Sequence, residues 1–587
     1  MTENRSVLKT TLMTLLILLG IGAALFYAAH AFGRFEVEQH EQRRSRPRVM
    51  HTRPVDGEPA APADAPLRVD LFLPATGKGV DPATLSDDSV RLLRATDGEI
   101  VPAHRTAAAD GGSISLTPSS PLDAGERYRL EITDRLLDET GEPFIPYTAE
   151  FRVAAAQVAA SGDANDRRHE IAYEQAPVTE SIGPSMFTSL AIGPSPEGDG
   201  ARDLFAGTAD GRIVRFAIRG DGTLEERSTL MGVVGHNDGP RLVTGLAFDP
   251  ADAGTLWVSH GVAALSGAPD FTGKLSTLSG TDYTRYADRV IGLPRAYRDH
   301  LNFGIAFAPD GALYLSQGSN TSTGAPDTKW NNRPERLLTA AILRIDPRRL
   351  PAGEPLDVTT AEGGGSYDPF IDGAPLRIHA SGVRSGYTLL WHSSGRLFTA
   401  INGAGRGGNT PAVTGPRGAL SDGPIMSVDV TTDDTLADVT RPGTYHGHPN
   451  AIRGEYVLMG GNPTPGEDPL EIPGYGVGTL PEPHFAMPAF NFGKGYSPNG
   501  LAESRADVFA GALKGCIFVT RFSAGDDIVI LRLDERGNVT DSITGAPGLT
   551  HLGSPLAIVE DPATGNLYVS EADTQRLVIL RPRAANE

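Results

Sequence analysis

One unit recurs along this chain: an apolar run, a break of Asp, Pro or Gly, and a second apolar run ending in small polar residues. It reads "HLNFGIAFAPDGALYLSQGSN" from His300, "SLAIGPSPEGDGARDLFAGTADGRI" from Ser189 and "GLAFDPADAGTLWVSHG" from Gly245. It returns as "GYTLLWHSSGRLFTAINGAG" from Gly386 and "PLAIVEDPATGNLYVSEADTQRLVIL" from Pro555, and a looser copy begins at Ala506, making six. The runs are rich in β-branched and aromatic residues. Asp310-Gly311 between two of them lets the backbone take positive φ cheaply, so each unit reads as an antiparallel hairpin. A single unit is too small to bury its own apolar face, whereas copies arranged radially pack face to face and leave only short edges. The expected fold is all-β, with a six-bladed β-propeller over residues 177–583.

Composition agrees with short strands and turns: Gly 69 and Pro 45 in 587 residues, with 40% hydrophobic and 21% charged residues. A formal net charge of −20 repels phosphates and argues against a nucleic-acid partner. The single cysteine, Cys516, excludes an internal disulfide framework, and its place in the apolar "GCIFVT" reads as a buried, inert thiol.

Residues 1–9 form a short basic, cytoplasmic N-terminus, and residues 10–32 run without a charge over about the length that spans a bilayer. Ala29-His30-Ala31 also fits a cleavage site, so a cleaved signal and an uncleaved transmembrane anchor both suit the segment. The run exceeds the ~7–15 residues of a usual signal core, which favours the anchor. The bulk of the chain is placed outside the cytoplasm, because long domains translocate largely regardless of charge. The expected location is the bacterial cell envelope, anchored in the inner membrane with the bulk periplasmic, or secreted if the segment is cut.

Residues 33–65 are Pro/Ala-rich and read as an extended linker. From 66 to 155, "LRVDLFLP", "SVRLLRAT", "SISLTP", "RYRLEI" and "AEFRVA" alternate like the strands of a small β-sandwich. The spacing of "LTPSSPLDAGERYRLEITDRLLDETGEPF" before an "FRV" end strand resembles the bacterial Ig-like modules, SbsA-type, of surface-layer and other envelope proteins. Residues 156–176 read as a second linker.

In a propeller, function comes from loops that converge on the central channel. His300 precedes the inner strand of its blade, and Arg384 in "IHASGVRSGYTLLW" holds the comparable place in the next. A neutral imidazole can take a hydroxyl proton, and a fixed guanidinium can hold developing negative charge. His446 and His448 in "YHGHPN" suit a structural turn better than a metal pair. The long stretch from Thr410 to Met487 reads as a lid or rim.

These stretches, with "YHGHPNAIRGEYVLMGGNPTPGEDP" and "FNFGKGYSPNGLAES", resemble the glucose/sorbosone dehydrogenase family of six-bladed propellers, which oxidise sugars with pyrroloquinoline quinone (PQQ). The resemblance implies His300 as the base that draws a proton from the sugar hydroxyl while hydride passes to the quinone. It implies Arg384 on the quinone side of the cofactor, with Lys494 and Arg521 presenting cations to its carboxylates. Two departures stand out. Ser385 replaces the motif asparagine beside the cofactor, and "INGAGRGGNTPAVTG" carries no carboxylate where the family has an acidic calcium loop, leaving Asp526 and Asp527 as other candidates for calcium.

Three functions follow. The first is a membrane-tethered PQQ-dependent dehydrogenase acting on a sugar or related alcohol and passing electrons to an acceptor the sequence does not name. The second is a non-catalytic propeller that binds envelope glycan or protein. The third is a calcium-dependent lactonase-type hydrolase, which needs Glu, Asp and Asn side chains converging on one ion.

Overall fold

The computed structural model describes residues 46–54, 58–61, 67–72, 79–107, 113–120, 122–123, 125–153, 171–177, 185–195, 201–413, 423–464 and 470–583. The chain divides into two compact units, residues 1–161 and 162–587. The apolar segment 10–32 lies outside the described residues, and among those described no helix is long and apolar enough to cross a membrane.

The first unit holds two sheets. One has the order Arg48–Arg53, Leu67–Phe72, Ser113–Pro118, Ala103–Ala107; the other runs Glu58–Ala61, Tyr147–Val153, Arg127–Ile132, Val90–Arg94, Ile100–Val101. Alternation puts Ile114 and Leu116 of one sheet, and Tyr128, Leu130 and Ile132 of the other, into one core with Val69, Leu92 and Phe151. At ~1.5–3 kcal/mol for each large apolar side chain fully buried, such a core needs no disulfide to hold it. Arg48–Arg53 and Glu58–Ala61 correct the extended linker expected over 33–65. Both are edge strands, where a Pro-rich segment is tolerated and apolar alternation is not required.

Among the described residues the second unit contains six antiparallel sheets. Sheet I comprises Phe187–Pro194, Arg202–Thr208, Ile213–Ile218 and Leu224–Leu230; sheet II comprises Arg241–Asp249, Asp252–Val262, Gly273–Ser279 and Arg285–Leu293, with Leu356–Asp357 added in parallel. Sheet III is Asn302–Phe307, Leu313–Gln317, Ala341–Ile345 and Leu376–Ser381; sheet IV is Gly386–Trp391, Leu397–Ile401, Asp434–Asp438 and Phe490–Gly493. Sheet V is Pro498–Glu503, Ile517–Arg521, Asp527–Leu533 and Val539–Ile543, and sheet VI is Pro555–Glu560, Leu567–Glu571 and Arg576–Pro582. The first strand of each sheet lies against the first strand of the next, and that of sheet VI returns to that of sheet I. The result is a closed, β-propeller-like ring with the six first strands lining its axis.

Several features make close approach at the axis possible. Each first strand has an irregularity in its pairing near its start, as between Asn302 and Ile305 or Gly386 and Leu389. Gly304 has no room for a side chain, since a Cβ there would stand 2.8 Å from the Tyr387 carbonyl oxygen. Hydroxyls tie neighbouring sheets: Thr244 Oγ1 donates to the Asn302 carbonyl (2.6 Å) and Thr520 Oγ1 to that of Leu556 (3.1 Å). Apolar side chains fill the gaps between sheets, as where Leu275 and Val290 of sheet II meet Leu313 and Leu343 of sheet III. Cys516 is buried in the gap between sheets V and VI.

Both ends of the unit meet in sheet VI. Its outermost strand is Tyr173–Pro177, paired antiparallel with Arg576–Pro582. Residues 173–176 of that strand fall in the linker expected over 156–176, since a short polar "YEQAP" carries no strand signal by itself. Sheet V also begins earlier than the repeat suggests: its first strand is Pro498–Glu503, and the copy read from Ala506 supplies the second and third. In the stretch 410–487, Asp434–Asp438 is the third strand of sheet IV, and Val428, Val457, Leu458, Ile472 and Tyr475 bury one another in a small core of their own.

Candidate active site

The loop before sheet III is held by a fully buried arginine. Arg295 donates to the carbonyls of His300 (2.8 Å), Ala296 (3.1 Å), Arg298 and Ala264 (2.6 Å), so one guanidinium fixes the backbone leading up to and including His300. Burial pushes its pKa down to about 10, which leaves it cationic at neutral pH. The His300 ring is then oriented by the far end of its own hairpin: Nδ1 donates to Ser319 Oγ (3.0 Å) and to the Ser319 carbonyl (3.2 Å). Gly318 makes this fit possible, because a Cβ there would lie 3.0 Å from His300 Cβ and 2.8 Å from the Phe303 ring.

That arrangement fixes the tautomer. A carbonyl only accepts and the Ser319 hydroxyl already donates to the Thr321 carbonyl (2.9 Å), so Nδ1 carries the proton and Nε2 keeps its lone pair. No group among the described residues bonds to Nε2. Burial and the neighbouring Arg384 hold the His300 pKa down to about 3, so the imidazole is neutral across the physiological range.

Arg384, in the loop before sheet IV, reaches the same place. Nε donates to the Ser322 carbonyl (3.0 Å), and Nη1 to those of Asn402 (3.2 Å) and Gly403 (3.0 Å), while Nη2 has no partner among the described residues. Burial lowers its pKa and the charges of Asp299, Asp434 and Glu335 oppose that shift. The indole of Trp330 connects the two groups: its ring lies 4.6 Å from the His300 ring, 5.8 Å from the Arg384 guanidinium carbon and 5.6 Å from that of Arg298. Asp299 completes the charge pattern. The protein around it works against its charge, but His300, Arg298 and Arg384 more than compensate and keep its carboxyl below the usual range.

Behind these groups stands a buried carboxylate, Glu335, which accepts from the Asn320 and Thr321 amides (both 3.0 Å), Thr321 Oγ1 (2.6 Å) and His448 Nε2 (2.9 Å). Burial opposes its charge, and these donors hold its pKa down to about 2. The same network gives His448 its structural role. His446 bonds Thr444 Oγ1 (3.0 Å), and burial lowers its pKa to about 4. Asp434 ties the loop after Leu397–Ile401, whose Gly403 carbonyl accepts from Arg384, to the segment before sheet V, accepting from Gly403 N (2.6 Å), Tyr496 N (2.7 Å) and Ser497 N (2.9 Å).

The remaining candidates are placed differently. Ser385 is buried beside Arg384, and its carbonyl accepts from Asn402 N (3.1 Å). Lys494 is exposed, with no hydrogen bond or ion pair among the described residues. Arg521 is committed: it grips Asp527 through Nε (2.7 Å) and Nη2 (2.6 Å), and its guanidinium lies 4.3 Å from the Tyr496 ring centre. This removes Asp527 as a calcium ligand, and among the described residues no cluster of three His, Cys, Asp or Glu side chains is placed to hold a metal ion. Trp330, Asp299 and Glu335 escape sequence reasoning. The one signal for them is a tryptophan in the otherwise polar "DTKWNNR".

The site can therefore supply a neutral acceptor of one proton, a cation with a free donor, and an aromatic ring close to both. For a planar quinone acid, the groups available at this place are His300 Nε2 and Arg384 Nη2; among the described residues no contact brings Lys494 to them.

Comparison with known proteins gives one family match: the model of the bacterial Ig-like domain matches residues 43–153. No curated protein matches the chain. Similar solved structures include the holo form of the PQQ domain of pyranose dehydrogenase from Coprinopsis cinerea, 13% identical with a TM-score of 0.47, covering 70% of this chain and 96% of that one. Another is the PQQ-bound aldose sugar dehydrogenase from Streptomyces coelicolor, 17% identical with a TM-score of 0.43, covering 70% and 98%. An auxiliary nutrient binding protein from Bacteroides ovatus is 11% identical with a TM-score of 0.34, covering 92% of this chain and 99% of that one. With TM-scores this low, the chemistry rests on the chain's own residues.

Proposed function

We propose that the second unit is a six-bladed β-propeller and a PQQ-dependent dehydrogenase of a sugar or related alcohol, held in the bacterial envelope by residues 10–32. The observation that carries this reading is that His300 Nε2 and Arg384 Nη2, both without a partner among the described residues, belong to side chains that each pack within 6 Å of the Trp330 ring. A quinone bound there supplies a two-electron acceptor for the hydride leaving the substrate carbon. The chain's own residues do the rest. His300 Nε2 takes the hydroxyl proton, and its fixed Nδ1–H leaves only that nitrogen to do so. Arg384 Nη2 binds and steadies developing negative charge, and the indole orients a flat ring. Asp299 lies close enough to favour the imidazolium formed in the reaction. This reading involves no calcium and leaves the electron acceptor open.

The test is dye reduction by the purified chain with added PQQ and an aldose. Turnover is expected, with His300→Ala lowering kcat by ~10²–10⁴-fold. Absence of turnover in the wild type despite bound quinone overturns the reading. A second reading, a binding module for envelope glycan or protein, is favoured by one observation: Arg521 is spent on Asp527, so only Lys494 remains for the cofactor's carboxylates. It predicts that the quinone does not bind, which equilibrium dialysis decides.

A further inference from the structure

A tyrosine reaches across the ring axis. Tyr387, at the start of the first strand of sheet IV, donates its hydroxyl to the Thr188 carbonyl of sheet I (2.6 Å), which stands opposite in a ring of six. Tyr387 is packed on Phe303 of sheet III, with ring centres 5.6 Å apart. His300 and Arg384 precede their strands and so lie at the end where the first strands begin. Towards the other end of those strands the channel opens into a cavity of about 660 Å3, with Tyr387 and Thr188 in its ceiling. That volume is within the ~300–1,000 Å3 of small-molecule sites.

The lining specifies a chemistry. The walls are apolar, with Ile192, Leu390, Leu501 and Ile558 from four different sheets. The rim is polar and its cations are already balanced. Arg202 pairs with Asp561 (2.9 Å), and Arg505 with Glu503 (2.9 Å). Glu560 adds a further carboxylate, accepting from Arg505 N (2.6 Å) and Ser504 Oγ (3.1 Å). An anion at this mouth would stand beside Glu503 and Glu560, so charge argues against an acid. A neutral oxygen meets no such penalty. Arg505 Nη1 has no partner among the described residues, and its side chain is 57% exposed, so one donor is free to meet it.

We propose that this chamber, on the opposite side of Tyr387 from the candidate active site, binds an uncharged, largely apolar small molecule that carries a carbonyl or hydroxyl oxygen. The apolar body lies against Ile192 and Leu390, and the oxygen faces Arg505. The site is independent of the dehydrogenase reading, because it shares no residue with His300, Arg384 or Trp330.

The test uses the full chain and the neutral naphthalene ketone prodan, whose emission moves to the blue in apolar surroundings, with the anionic probe ANS in parallel. Saturable, blue-shifted prodan binding is expected at one site per chain, tighter than that of ANS. Ile192→Trp and Leu390→Trp, which fill the chamber, should each weaken it by at least about tenfold, and Arg505→Ala by several-fold. Hydrogen exchange on the wild type gives a readout that needs no variant: prodan should protect residues 189–194, 387–391, 501–505 and 557–562. Unchanged binding in folded tryptophan variants, a preference for ANS, or protection confined to other segments overturns the proposal. The readout is prodan emission and exchange, so failure here leaves dye reduction unaffected, and the reverse.

Discussion

At the scale of single residues, the site depends on imidazoles kept neutral by burial. His300 titrates near 3 and His446 near 4 in the folded chain, against an ordinary value of about 6.5. Above pH ~6.5 neither state binds the extra proton. Below it the unfolded chain does and the folded chain does not, so stability falls as pH drops from about 6.5 towards 4. Glu335, held near 2, adds a further loss once the unfolded carboxyl protonates. Urea unfolding should give a lower midpoint at pH 5 than at pH 7, by on the order of 1–2 kcal/mol for each such histidine. His446→Phe should flatten that dependence by about one proton. A midpoint that does not change between the two pH values refutes the assignment. The His300–Arg384 pair is legible in the sequence because each residue stands two positions before a strand. Trp330 is not, since its loop returns to His300 only through contacts made after folding. The commitment of Arg521 to Asp527 across a hairpin is equally hidden, because spacing alone does not say whether a cation is spent.

At the scale of elements, the first strands are the tightest part of the ring. Gly304 faces the Tyr387 carbonyl and Gly245 faces that of Phe303, where a Cβ would stand 2.8 Å and 2.9 Å from the oxygen. Neither oxygen is the end of a flexible side chain, so the strain cannot be relieved cheaply. Gly304→Val should destabilise the chain by about 1–3 kcal/mol or more, read as a lowered urea midpoint. The same substitution at Gly395, where a Cβ meets nothing within 4 Å, differs because φ is +80° there and strain alone acts. Hairpins such as Asp310-Gly311 are legible because the turn and both apolar runs agree. The first strand of sheet V is not: "PNGLAE" has a proline, a glycine and a carboxylate, and becomes a strand through its neighbours on the axis. Its Glu503 is buried against His392 of sheet IV (3.5 Å), a contact the local pattern does not foretell.

At the scale of the whole molecule, the ring is shut by its own ends. Tyr173–Pro177 supplies the last strand of sheet VI, with Ala176 opposite Ile579. Tyr173 is anchored further by its amide to the Pro547 carbonyl (2.9 Å) and by the Phe518 ring, with ring centres 6.2 Å apart. Ala176→Pro should weaken this seam by about 1–2 kcal/mol and lower the thermal midpoint, while leaving the hairpins of sheets II and III protected from exchange. Equal loss of protection in every sheet contradicts a local seam. Ring order follows from the repeats, but the identity of the closing strand does not, because its partner lies some 400 residues away.

The Tyr387 bridge has a consequence for traffic. A phenol hydrogen-bonded across the axis stands in the way of anything moving along it, so passage would require breaking the bond to Thr188. Movement of that ring would be felt at both ends, since Tyr387 also packs on Phe303 next to the His300 loop.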